Sequence, residues 1–225
     1  FAATLKSFGF KVSDETIKLM QTKFSKDEFL SLSAERVWTE TQKALISEYP
    51  EEYFSILDKA DCLHYFFDLR DINEVVQLLE NIKKKYVGDV ERWAAINSLS
   101  IDQKKTNDLL KIPKKFSKLS EKIQECIRLL TQKSSDSEIL ESLYKISFFR
   151  DPSSTRKAME LGGDLLKEKE SSLFLEPSIM LNILNKLEES KIEINNQLKD
   201  MKDEDKKSKL SELRLNTIRY TRTNL

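Results

Sequence analysis

Between Lys104 and Lys118 the chain carries six lysines, Lys104, Lys105, Lys111, Lys114, Lys115 and Lys118, against one acid, Asp108. Lysines grouped near helix ends can neutralise the phosphates of a nucleic acid and release its condensed counterions without reading sequence. On the residues alone the simpler reading is a solvated helix face. A second basic group, Arg219, Tyr220 and Arg222, follows Glu212 with no further acid, and either meets phosphate or complements the negative end of a helix. Lys83-Lys84-Lys85 reads as a solvated last helical turn. Other chemistries fail on spacing. Cys62 and Cys126 form no CxxC pair, so they frame no zinc site and suit reduced thiols in a cytoplasmic protein. His64, the sole histidine, sits between Leu63 and Tyr65-Phe66-Phe67 and reads as a core side chain rather than a ligand or base. Gly162-Gly163 lacks both the preceding strand and the Gly-Lys-Ser/Thr of a phosphate loop, and reads as a helix end or hinge.

Helices must position these residues. Only 4 Gly and 4 Pro in 225 residues, with 34% of the chain charged, leave few punctuated turns and many solvated faces, which is the composition of an all-α, multi-helical protein. The formal net charge is zero, so any affinity for a polyanion is local. No apolar run is long enough to span a membrane, so no membrane partner is expected. The chain opens on Phe1, which reads as a piece lacking an N-terminal portion. Its organising stretch is Leu32 to Glu40. Ser33 is a good N-cap, Glu35 suits the positive end of the helix dipole, and Ala34, Val37, Trp38, Thr41, Ala44 and Leu45 recur at helical spacing. Arg36 and Glu40 fall one turn apart, as an i,i+4 ion pair requires.

The surrounding signals are of the same kind. Gly9 closes a first short helix, Ser13 caps a second carrying Ile17, Leu19 and Met20, and Ser25-Lys26-Asp27-Glu28 has capping-box spacing. Pro50-Glu51-Glu52 opens a helix that buries Tyr53, Phe54, Ile56 and Leu57. The next runs from Ile72 towards Gly88, and Trp93, Ala94, Ile96 and Leu99 continue the core pattern. Ser100 to Gln103 and Ser135 to Glu138 are further capping boxes. A helix through Leu109 and Leu110 stops at Pro113, and Phe116 buries beside Leu119 and Ile123 instead of offering a stacking platform. Asp151-Pro152 breaks the helix begun at Ser135. Pro177 opens one long helix reaching Leu198, and the polar run from Asp200 to Lys209 is the expected mobile loop before a last helix.

Phe1-Ala2-Ala3-Thr4-Leu5-Lys6-Ser7-Phe8-Gly9-Phe10, then Ser33-Ala34-Glu35-Arg36-Val37-Trp38-Thr39-Glu40, then Tyr53-Phe54-Ser55-Ile56-Leu57 with Cys62-Leu63, resembles in order and spacing the neck of bacterial class II tRNA nucleotidyltransferases, the CCA-adding enzymes. The match is strong over roughly the first 70 residues. It continues more weakly in Arg92-Trp93-Ala94-Ala95, Phe149-Arg150-Asp151-Pro152 and Glu212-Leu213-Arg214-Leu215-Asn216-Thr217-Ile218. Bacterial poly(A) polymerase shares the head and neck and is the alternative; a non-catalytic helical RNA-binding or scaffold protein is the third reading.

The resemblance implies neck helices over residues 1–67 followed by an elongated helical body and tail over 68–225 that binds tRNA. It implies a parent enzyme that adds or repairs the 3′-terminal CCA with CTP and ATP, its magnesium ions held by paired carboxylates in a head that precedes the neck. No such motif occurs here, so the fragment alone is expected to be inactive and to bind no metal. The family's last neck motif falls on Ser33, Glu35, Arg36 and Glu40, which the resemblance makes supports for the helices beneath the nucleotide pocket. The RNA-binding residues expected are Lys104, Lys105, Lys114, Lys115, Lys118, Arg219 and Arg222. Many relatives have His-Asp after the segment matched by Arg92 to Ala95, announcing a metal-dependent phosphohydrolase; Asn97-Ser98-Leu99 stands here, so that activity is not expected.

Overall fold

The computed structural model describes the chain except Phe1, Phe24 to Lys26, Phe29, Leu30, Lys169, Glu170, Asp200 and Leu225. The Ser25 to Glu28 capping box falls outside the described residues. The chain is all-α as expected: among the described residues there are thirteen α-helices, one 3-10 turn at Leu63–Tyr65, and no strand beyond an isolated bridge between Leu69 and Ser100. No described helix is long and apolar enough to cross a membrane. Two compact units form, Phe1–Ser120 and Glu121–Leu225, and the division falls inside one helix. The first unit therefore reaches well past residue 67, because the elements that follow it complete the core of those that precede it.

That unit contains α1 (Ala2–Ser7), α2 (Asp14–Lys23), α3 (Ala34–Leu45), α4 (Pro50–Lys59), α5 (Ile72–Ile82), α6 (Asp89–Asn97), α7 (Gln103–Leu109) and the start of α8 (Lys114–Thr131). α4 packs on α1, α3 and α5, and α6 on α3 and α5. Ser33 caps α3 by accepting from the Arg36 amide, and Val37, Trp38, Thr41, Ala44 and Leu45 are buried along one stripe. Pro50 sits in the first turn of α4, with Phe54 fully buried. α2 buries none of its residues, and Leu19 is exposed, as are Phe8 and Phe10.

The scarcity of glycine leaves a mark on the helix ends. Four helices close by the same reversal, in which two successive amides bond back to carbonyls of the last turn and the residue between takes a left-handed conformation. Gly9 does this for α1 at φ 78°, without steric cost. Asp61 (φ 56°), Lys111 (φ 50°) and Ser147 (φ 59°) do it elsewhere, each carrying a Cβ that the conformation disfavours.

The second unit holds the rest of α8, α9 (Asp136–Lys145), α10 (Pro152–Glu168), α11 (Pro177–Glu189), α12 (Lys191–Leu198) and α13 (Asp203–Thr223). α13 packs on α9, α11 and α12, and α11 on α10. Ser135 and Glu138 make the expected reciprocal capping box. Several other expectations are corrected. Pro152 opens α10 instead of ending the helix before it, since its missing amide is one a first turn leaves unpaired. The helix from Pro177 breaks at Ser190 into α11 and α12. The polar run expected to be mobile is helical from Asp203, where Asp203, Glu204 and Asp205 complement the positive end of α13.

Gly162 and Gly163 lie inside α10, not at an end or hinge, and of the two only Gly163 serves close packing. A Cβ on Gly163 would meet the Pro177 ring at 2.9 Å and 3.1 Å, whereas one on Gly162 would make ordinary contact with Ile127 at 3.4 Å. Both sites gain helix propensity from alanine, by up to about 1 kcal/mol. Gly162→Ala is thus expected to raise the melting temperature of the second unit and Gly163→Ala to lower it, in parallel circular-dichroism melts.

Candidate RNA-binding surface

The surface is set by an aromatic core beneath it. Trp38 of α3 stands edge-on to Trp93 of α6 (5.0 Å, 77°) and to Phe116 of α8 (4.8 Å, 85°), and Phe67 approaches Trp93 at 6.2 Å. Such rings prefer edge-to-face contact, so they fix both the distance and the rotation of α3 against its neighbours. Phe116 is fully buried in this cluster, which bears out its reading as core. Tyr53 and Thr41 share a hydrogen bond at 3.0 Å, and burial pushes the Tyr53 phenol up to about 12.

With Trp38 locked inward, the outward side of α3 is fixed. Ser33, Glu35, Arg36 and Glu40 are exposed there. The expected Arg36–Glu40 pair is replaced: Glu40 accepts from Lys43 at 2.7 Å, and that bond lowers its carboxyl below the usual range. Glu35 reaches Lys111, 76 residues away, at 2.8 Å, and its carboxyl is likewise lowered, first by the bond from Lys111. The Leu110 to Pro113 turn between α7 and α8 thus lies beside the first turn of α3.

All six lysines of the 104–118 stretch are exposed. Lys111 is paired with Glu35, and Lys105 stands 3.5 Å from Asp68. Lys104, Lys114, Lys115 and Lys118 form no ion pair with the described residues, though Lys115 lies 4.7 Å over the Phe116 ring. α8 begins with Lys114 and Lys115 and has no acid in its first turn. Charge there opposes the helix dipole, so these lysines are placed against local helix stability. α7 is capped by Asp102, which accepts from the Lys105 amide at 3.0 Å. The Ser100 capping box is corrected: Ser100 is buried and bonds Asn97 at 3.3 Å, while its neighbour Ile101 donates to the Asp68 carbonyl.

The other basic residues are differently placed. Arg219 and Arg222 lie in the second unit, where Asp136 at the start of α9 accepts from Arg222 at 2.6 Å and stands 3.5 Å from Arg219; Arg222 also donates to the Ser134 carbonyl at 3.2 Å. Lys83 is no solvated helix end. It caps α5 and pairs at 2.7 Å with Glu51, which is only 2% exposed, while its ammonium lies 4.9 Å over the Tyr49 ring. Gly88 does not stop α5 but caps α6. His64 is corrected from core to surface: it is mostly exposed on the 3-10 turn, tilted against Tyr65 at 4.0 Å and 3.6 Å from Asp61. Cys62 and Cys126 are free and buried, and burial pushes their thiols up to about 11 and about 12. Among the described residues no group of three or more His, Cys, Asp or Glu stands close enough to hold a metal ion.

Two buried charged centres, one in each unit, carry no clear signal in the sequence. Arg92 of α6 is 3% exposed and donates to four backbone carbonyls, Leu45, Ser47 (2.8 Å), Lys83 (2.6 Å) and Tyr86 (2.6 Å). It thus ties together the unpaired carbonyl ends of α3 and α5. The only signal was an arginine beside the apolar Trp93-Ala94-Ala95 run. Glu125 of α8, in the second unit, is buried between Arg128 (2.6 Å) and Lys145 (2.5 Å). Burial raises its carboxyl, but the bonds from Lys145, Arg128 and Ser142 outweigh this and bring it down to about 2. A carboxyl lowered in the folded state stabilises above its unfolded value and loses that contribution as pH falls through the folded one. Between about pH 4.5 and pH 2 the second unit is therefore expected to lose about 3 kcal/mol. Glu125→Gln should remove that step from an acid titration followed by circular dichroism.

Residues 9–83, about a third of the chain, match the family described as "Probable RNA and SrmB- binding site of polymerase A". The particular relatives are CCA-adding proteins. The chain is 45% identical over 67 residues to the CCA-adding enzyme of Buchnera aphidicola and 46% identical over 67 residues to the multifunctional CCA protein of Actinobacillus pleuropneumoniae. Each alignment covers 30% of this chain and 16% of the relative. The multifunctional CCA protein of Haemophilus ducreyi is 36% identical over 83 residues, 37% of this chain and 20% of that protein. The matched stretch thus spans about a sixth to a fifth of these relatives, and the resemblance seen in the neck segments is borne out over the first third of the chain. No solved structure matches.

Proposed function

We propose that this chain is the neck, body and tail portion of a CCA-adding tRNA nucleotidyltransferase, and that its part in the reaction is to hold tRNA. Nucleotidyl transfer from CTP and ATP with magnesium is assigned, in this proposal, to the remainder of such a protein, and this chain alone is taken to be inactive. Ser33, Glu35, Arg36 and Glu40 contribute by fixing the neck helices: Ser33 sets the start of α3, and Glu35 braces it against the α7–α8 turn. Residues 1–67 supply this neck and 68–225 the tRNA-holding portion, in a cytoplasmic setting.

The observation that carries the tRNA reading is the exposed group Lys104, Lys114, Lys115 and Lys118, without ion-pair partners among the described residues and with two of them at the positive end of α8. A stabilising solvated face would carry acids there. Arg219 and Arg222 remain in the proposal as a second contact, with Asp136 as their competitor for phosphate. The test is binding of tRNA lacking its terminal CCA by the chain across a salt series, with nucleotide incorporation followed in parallel. Salt-sensitive binding without incorporation is expected. Incorporation by this chain alone would overturn the division of labour, and salt-independent or absent binding would overturn the tRNA role.

A further inference from the structure

We infer that Glu35 restrains the lysine surface by holding Lys111, so that Lys111 is a reserve cation which meets a nucleic-acid phosphate only when the carboxylate of Glu35 is neutralised. The inference rests on the reading of the α7–α8 lysines as a phosphate-binding surface and adds a regulator to it.

The geometry sets Lys111 apart from its neighbours. Its Nζ lies 2.8 Å from Glu35 Oε1, a full charge-assisted hydrogen bond, whereas Lys105 and Asp68 are 3.5 Å apart. Its backbone is pinned: the Lys111 amide bonds the Asp108 carbonyl at 3.3 Å, the Ile112 amide bonds Asn107 at 2.9 Å, and Ile112 is buried. The side chain therefore starts from a fixed point between the lysines of α7 and those of α8. Glu35 is fixed as well, two residues beyond the Ser33 cap and three before the buried Trp38. Both ends of the pair are open to water, with side chains 63% and 67% exposed, so parting them requires no burial or exposure of core.

A phosphate approaching this surface meets a neutral pair at Lys111, not a cation. Taking Lys111 from Glu35 would leave an unpaired carboxylate beside the incoming phosphate, and like charges so placed repel. The pair thus subtracts one cation from the surface and marks its edge towards α3. Replacing the carboxylate by an amide removes the hold and leaves Lys111 free within the same field.

Counterion release gives the size. One added phosphate contact steepens the dependence of log affinity on log salt by about 0.7 to 0.9, which at about 0.15 M salt is roughly a five-fold gain in affinity. The experiment measures tRNA binding by the whole chain over a salt series for wild type, Glu35→Gln, Lys111→Gln, the double variant, and a Lys114→Glu/Lys115→Glu/Lys118→Glu triple variant. Glu35→Gln should bind roughly five-fold tighter with the steeper slope, and the double variant should return to the wild-type slope. Two results overturn the inference while leaving the surface standing: a Glu35→Gln gain that persists in the Lys111→Gln background, which is general repulsion, or no gain in Glu35→Gln when the triple variant has lost binding. If the triple variant also binds as wild type, the reading of the surface falls with it.

Discussion

Arg92→Leu is expected to unfold the N-terminal unit under conditions where the second unit stays folded. The side chain is buried with no carboxylate bonded to it, and it donates to the backbone carbonyls of Leu45, Ser47, Lys83 and Tyr86. Burial lowers its pKa, with Glu51 working in the opposite direction. Leucine fills part of the volume but leaves the carbonyl ends of two helices facing an apolar interior. At about 1–3 kcal/mol for each buried acceptor left unpaired, the buried carbonyls of Leu45 and Tyr86 alone cost about 2–6 kcal/mol, a large part of the whole stability of a small domain. Arg92→Lys should fall between, because an ammonium has three donors but not the planar fork that reaches two helix ends at once. Both tryptophans, Trp38 and Trp93, lie in the core of the first unit, so their fluorescence in a urea titration reports that unit while circular dichroism reports both. A Trp transition unmoved by Arg92→Leu would show that the four carbonyls find other partners.

Reversal of Lys114, Lys115 and Lys118 to Glu is expected to weaken tRNA binding by roughly 100-fold at about 0.15 M salt, with the salt slope reduced by about 2 to 3. The variant carries its own control against misfolding. Acids at the first two positions of α8 suit the helix dipole where the lysines oppose it, so the melting temperature should hold or rise slightly. Lost affinity with unchanged melting assigns the loss to the surface. Unchanged affinity removes these lysines from the interface and leaves Arg219 and Arg222 as its candidates.

Local signals were legible where the cause is local. The Ser33 cap, the Ser135–Glu138 box and the Gly9 helix end each depend on residues within one turn, and each stands where its spacing puts it. Legibility failed where a side chain other than the expected one took the role. Asp102, not Ser100, caps α7, because Ser100 is drawn inward while Ile101 pairs with the Asp68 carbonyl. Asp61, Lys111 and Ser147 end helices in a conformation usually left to glycine, so these ends carry no glycine signal. The two glycines that looked like punctuation lie within α10, where Gly163 admits Pro177.

By itself the sequence determined the all-α class and the stripe of α3 that faces inward, since helix period and the scarcity of turn residues depend only on neighbours along the chain. It also marked the lysine stretch as basic. Only the tertiary structure decided which charges remain available. Glu35 meets Lys111 across 76 residues, Glu51 meets Lys83 across 32, and Arg92 spans two helix ends, because partners that close through space leave no periodic trace in the order of residues.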